Sequence, residues 1–146
     1  MIERTVMQSV AQGHVLTILP EASSYEAACA MTKARCGSVL IVDGAGAMLG
    51  ILTERDLMTK LVAQGRNPDT TPVQDIMTHN PQFVGPETTV SDAVLIMKRH
   101  NFRHLPIVSA ARILGVFSLR DAMPRELVEA EHMADLIDQQ STNVLS

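Results

Sequence analysis

Residues 21–42, EASSYEAACAMTKARCGSVLIV, decide the fold, because residues 87–108, ETTVSDAVLIMKRHNFRHLPIV, repeat the same pattern. An offset of 66 lays one over the other without a gap. Pro20, Glu21, Ala27, Met31, Ile41 and Val42 then fall on Pro86, Glu87, Ala93, Met97, Ile107 and Val108. Ser23 with Thr89, Glu26 with Asp92 and Lys33 with Arg99 keep their chemistry. After a one-residue change in loop length, Gly50–Met58 (GILTERDLM) lies over Gly115–Met123 (GVFSLRDAM). Register held through a helix and a strand marks a duplicated unit. Two such units, each with an apolar face to cover, are expected to pack together.

Each copy reads as β-α-β-β-α. Ser23-x-x-Glu26 and Thr89-x-x-Asp92 resemble capping boxes and predict helices at about 23–35 and 89–101. Ala27, Met31 and Ala34 form one apolar stripe; Val90, Ala93, Val94 and Met97 form the other. Strands follow at 38–42 (SVLIV) and 104–108 (HLPIV), then turns at Asp43-Gly44-Ala45-Gly46 and Ser109-Ala110-Ala111. Second strands at 49–53 and 114–118 are expected to run directly into helices. A further short strand is expected before each first helix, at 15–18 and 82–84. The equivalent methionines Met31, Met58, Met97 and Met123 are expected in the core.

The expected organisation is a first repeat at 5–64, a Gly- and Pro-bearing linker at 65–72, a second repeat at 73–123 and a C-terminal helix and tail at 124–146. Val73-Gln74-Asp75-Ile76-Met77-Thr78 leads into the second repeat on this reading. Pro124 would break a helix begun at Leu119, so a short helix, a bend and a fresh start are expected there.

Composition narrows the function. The 146 residues are 46% hydrophobic and 19% charged, which suits a globular fold. A net charge of −4 and 3% aromatic content disfavour nucleic acid as a partner. The patch of Lys98, Arg99, His100, Arg103 and His104 could attract phosphate only locally. No apolar run approaches membrane-spanning length, and no secretory signal is recognisable, so a cytoplasmic location is expected. Cys29 and Cys36 sit in apolar-periodic sequence and read as small buried hydrophobes rather than a disulfide scaffold.

The chemistry concentrates at the repeated strand-to-helix junction. It reads Thr53-Glu54-Arg55-Asp56 in one copy and Ser118-Leu119-Arg120-Asp121 in the other. Capping alone explains the hydroxyl and the acid. It does not explain an arginine in both copies. A helix N-terminus with free amides attracts phosphate, a cap hydroxyl adds a hydrogen bond, and arginine clamps phosphate oxygens as a fork. An aspartate one turn in suits ribose hydroxyls instead. The set fits a nucleotide better than a bare anion. Gly50 and Gly115, in the strands before the junctions, would allow another group to approach closely.

These motifs, in order and duplicated, resemble a tandem cystathionine-β-synthase (CBS) domain pair, or Bateman module, over about residues 5–123. The segments 73–78 and Phe102-Arg103-His104-Leu105-Pro106-Ile107-Val108 add to the resemblance. It implies an α/β (α+β) fold: two βαββα repeats packed as a pseudo-two-fold pair, with a C-terminal helix. It implies a regulatory module that binds an adenosine-containing ligand in a cleft between the repeats and signals to a separate partner protein. AMP, ADP and ATP are the first candidates; NAD and S-adenosylmethionine follow. Carried over, Asp56 and Asp121 face ribose, while Thr53, Arg55, Ser118 and Arg120 face phosphate. Arg103 and His104 occupy a strand position that is often basic and phosphate-facing in relatives. The first copy has Gly37 and Ser38 there, which implies unequal sites. A homodimer is also implied.

Other readings remain in competition. Catalysis would need Cys29 or Cys36 with a histidine, and neither cysteine carries a nucleophile motif, so no enzyme is expected. His14, His79, His100, His104 and His132 are scattered without ligand spacing, so no metal is expected. The serious rival is a purely structural dimerisation module whose junctions are caps and nothing more.

Overall fold

The computed structural model describes residues 3–10 and 15–145. In chain order the regular elements are α1 (Val6–Ser9), β1 (Thr17–Ile18), α2 (Ser24–Ala34), β2 (Ser38–Val42), β3 (Met48–Thr53), α3 (Glu54–Asp56), β4 (Thr78–His79), α4 (Val90–His100), β5 (His104–Ser109), β6 (Arg112–Ser118) and α5 (Pro124–Leu145). A π-helical stretch, Leu57–Val62, extends α3, and single 3-10 turns occupy Val73–Asp75 and Leu119–Asp121. The chain is mixed α/β with a C-terminal helix.

The duplicated helices begin and end alike. The Ser23 hydroxyl accepts the Glu26 amide at 3.0 Å, and the Thr89 hydroxyl accepts the Asp92 amide at 3.2 Å. Each hydroxyl satisfies an amide that the helix itself cannot. The helices stop at Arg35 and Asn101, both left-handed, with φ of 56° and 57°. Such an ending caps the last carbonyls and turns the chain back toward the next strand.

The chain divides into two compact units. One takes Val15–Gln82 with Ser109–Ile113. Its sheet has the order β1-β2-β3-β4, with β1 parallel to β2 and the other pairs antiparallel. All five residues of β2 are buried, as a central strand covered on both faces requires. Ala27, Met31, Val39, Ile41, Leu52, Leu61, Val73, Ile76 and Met77 make its core.

The other unit takes the described residues up to Val10, then Phe83–Val108, and the chain from Leu114 onward. Here β5 pairs with β6, and α5 packs along α4. Its core holds Val6, Val84, Val90, Ala93, Val94, Met97, Leu105, Ile107, Phe117 and Ala130. The strand expected at 82–84 is reduced to one bridge, Val84 to Ile107.

The lead-in segments are exchanged between the units. Thr5 bridges Thr89, the Val6 amide donates to Thr88 at 2.8 Å, and the Val90 amide donates to Arg4 at 2.9 Å. In the same pattern Pro72 bridges Ser23, the Val73 amide donates to Ala22 at 2.8 Å, and the Ser24 amide donates to Thr71 at 2.8 Å. Residues 4–9 therefore serve the unit of the second repeat. Residues 71–79, which lead into the second repeat in sequence, serve the unit of the first, where β4 completes the sheet.

Several expectations about burial fail. Ala34 is exposed, although Ala27 and Met31 are buried as expected. Cys29 is exposed and Cys36 only half-buried. Cys29 lies two residues from Ala27, which is about 200° around a helix and so on the opposite face. Met31 and Met97 are core residues, but Met58 and Met123 are 59% and 47% exposed. Met58 falls on the outer side of the π-helical stretch, and Met123 precedes Pro124 in a bend.

The second junction carries one 3-10 turn, then Ala122 in extended conformation. A new helix starts at Pro124, where the missing amide costs nothing. The expected short helix, bend and fresh start are all present.

Candidate functional site

The two junctions share a hydrogen-bond plan. In the first, the Thr53 amide donates to Asp56 Oδ2 at 3.0 Å, and the Asp56 amide donates to Thr53 Oγ1 at 3.2 Å. In the second, the Ser118 amide donates to Asp121 Oδ2 at 2.9 Å within the same capping box. The next amide is also engaged in both. Glu54 N–H donates to the Gly37 carbonyl at 3.0 Å, and Leu119 N–H donates to the Arg103 carbonyl at 3.0 Å.

This corrects one expectation from the sequence. The amides of the first and third residues of each turn are consumed within the protein, so neither turn offers phosphate an open helix end. The Arg55 and Arg120 side chains belong to exposed residues, as does Arg103. His104 opens β5 and is half-buried.

The plan also places Arg103 beside the junction. The bond from Leu119 ties the residue before β5 to the turn that holds Ser118 and Asp121. In the first unit the same position is Gly37, next to Ser38, which pairs with Thr53 across β2 and β3. Along the backbone, the second junction therefore adjoins Arg103 and His104, and the first adjoins Gly37 and Ser38.

The aspartates keep acceptor capacity beyond the cap. An ionised carboxylate accepts about four hydrogen bonds, and the box uses Oδ2. Asp56 is only 8% exposed, and its Oδ1 lies 3.2 Å from Lys60 Nζ. Lys60 was not singled out from the sequence, although its position four residues after Asp56 on a helix was a legible signal. Asp121 is half-buried, and its backbone carbonyl accepts Arg4 Nη2 at 2.8 Å. Arg4 lies 117 residues away in sequence, and no local pattern marks it.

The two strand glycines differ in role. A side chain at Gly50 would meet the Met77 sulfur at 2.5 Å and the Thr78 carbonyl at 2.8 Å. The group that approaches Gly50 is therefore the protein's own β4. At Gly115 an added Cβ would meet only ordinary contacts, with Val10 at 3.6 Å.

Among the described residues no group of three or more His, Cys, Asp or Glu is placed to hold a metal, and no helix is long and apolar enough to cross a membrane. His14 lies outside the described residues.

Comparison with known proteins bears on the family. The family model for the CBS domain matches twice, at residues 4–63 and 73–125. An uncharacterized 17.7 kDa protein of Acidianus ambivalens is 35% identical over 130 residues, covering 88% of this chain and 77% of that protein. A CBS domain-containing protein of Arabidopsis thaliana is 32% identical over 133 residues, but the chain spans only 24% of its length. Among solved structures, a putative signal-transduction protein with CBS domains from Burkholderia ambifaria is 30% identical, with a TM-score of 0.75, over 80% of this chain and 86% of that one. A CBS domain protein of Pyrobaculum aerophilum, complexed with AMP, is 25% identical, with a TM-score of 0.77, over 88% and 98%. The chain belongs to the CBS domain family and carries two copies of the domain.

Proposed function

We propose that this CBS pair is a regulatory sensor that binds an adenosine-containing nucleotide at its junctions and signals to a separate protein. The observation that carries the reading is the repeated junction itself. A hydroxyl, an arginine and an aspartate recur in sequence, and the hydroxyl residue and the aspartate share one hydrogen-bond plan. Each aspartate is held by backbone at one oxygen, and carboxylate chemistry leaves it able to accept ribose hydroxyls.

The second junction is the stronger site. Arg103 supplies the positive charge that the closed turn does not, and His104 follows it at the start of β5. Thr53, Arg55 and Asp56 form the weaker site, since Lys60 already competes for Asp56. AMP is the first ligand to test, because the Pyrobaculum aerophilum relative was determined with it. ADP, ATP, NAD and S-adenosylmethionine complete the class. A homodimer belongs to the same reading, supported by the exposed apolar side chains of Met58 and Val62 on one helical stretch.

The test is a thermal-shift and calorimetric titration with these five ligands. A ligand that binds only the folded state stabilises it by about 2.7 kcal/mol at a hundred times its dissociation constant. One observation favours the rival reading: the capping boxes use both the hydroxyl and the aspartate for structure. No shift with any ligand at millimolar concentration would leave the structural dimerisation module standing.

A further inference from the structure

We infer that Arg4 is a positioning residue that makes the Ser118–Asp121 junction and the first turn of α5 open and close as one body. Its extension, that a ligand at the junction is thereby reported to α5, rests on the nucleotide reading above. The mechanical coupling does not.

Three contacts meet on one guanidinium. Arg4 Nη2 donates to the Asp121 carbonyl at 2.8 Å and to Glu126 Oε1 at 2.8 Å, while Nε donates to Glu126 Oε2 at 3.3 Å. Glu126 Oε1 also accepts the Met123 amide at 2.8 Å. The bend between junction and helix, residues 121–126, is therefore held at both ends by the same planar fork. A fork of this kind fixes direction as well as distance.

The mount of the fork is rigid. The Arg4 carbonyl accepts the Val90 amide, and two residues on Val6 donates to Thr88, so the strand-like segment is pinned to the start of α4. The acceptor is committed too. Glu126 is 4% exposed. Burial pushes its carboxyl up, but the hydrogen bond from Arg4, the Met123 amide and the charges of Arg4 and Arg125 outweigh burial and hold it below the ordinary carboxylate range.

The duplication supplies an internal control. Thr71 holds the position of Arg4 in the other unit, where its carbonyl accepts the Ser24 amide. Its hydroxyl donates to the Asn67 carbonyl at 2.8 Å. A CBS repeat is thus built without the clamp. The clamp stands where α5 departs from a junction.

The experiment is hydrogen exchange, read by mass spectrometry, on the full chain and its Arg4→Gln, Arg4→Lys, Glu126→Gln and Arg4→Gln/Glu126→Gln variants. Exchange at 118–123 and 124–134 is expected to rise together, by about tenfold, in Arg4→Gln and Glu126→Gln. The double variant is expected to exchange no faster than Arg4→Gln, because both changes break one network. Arg4→Lys keeps the charge but loses the fork. It is expected to hold 124–134 while 118–123 loosens. Peptides from β2 and β3 serve as the control for global unfolding. Should Arg4→Gln unfold the chain, the milder Arg4→Lys and Glu126→Gln decide. Loosening of 124–134 with 118–123 unchanged in both Arg4→Gln and Glu126→Gln overturns the coupling.

A second arm adds AMP. In the wild type, protection is expected at 118–123 and 124–134 together; in Arg4→Gln, at 118–123 alone. Protection of 118–123 alone in the wild type overturns transmission to α5. Absence of any AMP protection in the wild type counts against the nucleotide reading, while the first arm still decides the clamp.

Discussion

The carbonyl of Arg103 accepts the amide of Leu119 at 3.0 Å, which ties the backbone of this exposed residue to the Ser118–Asp121 turn. Because the side chain takes no part in that bond, Arg103→Ala leaves the tie intact. Hydrogen bonds to charged groups contribute about 1.5–3 kcal/mol. Arg103→Ala is therefore expected to weaken AMP binding by about tenfold or more, without changing affinity for adenosine or the melting temperature. Calorimetry with the two ligands side by side reads the difference.

Asp121 has two jobs that substitutions separate. Asparagine keeps an oxygen for the Ser118 amide; alanine keeps nothing. Loss of a cap costs about 0.5–2 kcal/mol. Asp121→Ala is expected to lower both the melting temperature and ribose-ligand affinity. Asp121→Asn is expected to lower affinity while leaving the melting temperature near wild type. Retained affinity in both variants would reduce the aspartate to a cap.

Gly50 and Gly115 occupy equivalent strand positions but are not equally replaceable. Backbone at Thr78 and the Met77 side chain leave no room at Gly50. Gly50→Ala is expected to destabilise by about 1–3 kcal/mol, the usual cost of overpacking. Gly115→Ala is expected to fall within about 0.5 kcal/mol of wild type. Urea midpoints at unchanged slope measure both.

Two carboxyls near the N-terminal segment give opposite pH signatures. Glu126 has a lowered pKa in the fold, so the unfolded chain takes up its proton first as pH falls. Its contribution is present above the ordinary carboxylate range and is lost as pH falls through its folded value. Glu3 is raised, first by a hydrogen bond with the Glu129 carboxyl and then by the charges of Glu129 and Asp92, against Arg125. Its contribution is complete below the ordinary range and is lost as pH rises through its folded value. Melting temperatures are expected to show the wild-type advantage over Glu126→Gln fading toward acid, and that over Glu3→Gln fading toward neutrality.

Local rules read the repeats well. Ser23 and Thr89 cap their helices as the spacing predicts, and the offset of 66 matches Arg35 to Asn101, the two left-handed stops. Pro124 breaks the second junction where its missing amide demands. What they could not reach was non-local. Residues 73–78 suit either half of a duplicated pattern, and no periodicity says which core Val73 and Ile76 will join. Met58 and Met123 were placed by equivalence, but the π-helical stretch and the bend rotate them outward. The closed amides of the junctions depended on Gly37 and Arg103, one strand away. Arg4 and Glu126 are distant in sequence, and only the fold makes them neighbours.

The exchanged lead-in segments build each unit from stretches of chain that lie far apart in sequence. Val6 leaves the ribosome well before Phe117, with which it shares a core, because more than a hundred residues separate them in the chain. At synthesis rates of about 5–20 residues per second, that wait lasts roughly 5–20 s. The first half can meanwhile close only after residues 71–79 arrive. A cut at residues 64–70 would thus yield two fragments, each holding the other's missing piece. Removing either repeat takes with it residues of the other's core: Val6 in one direction, Val73 and Ile76 in the other.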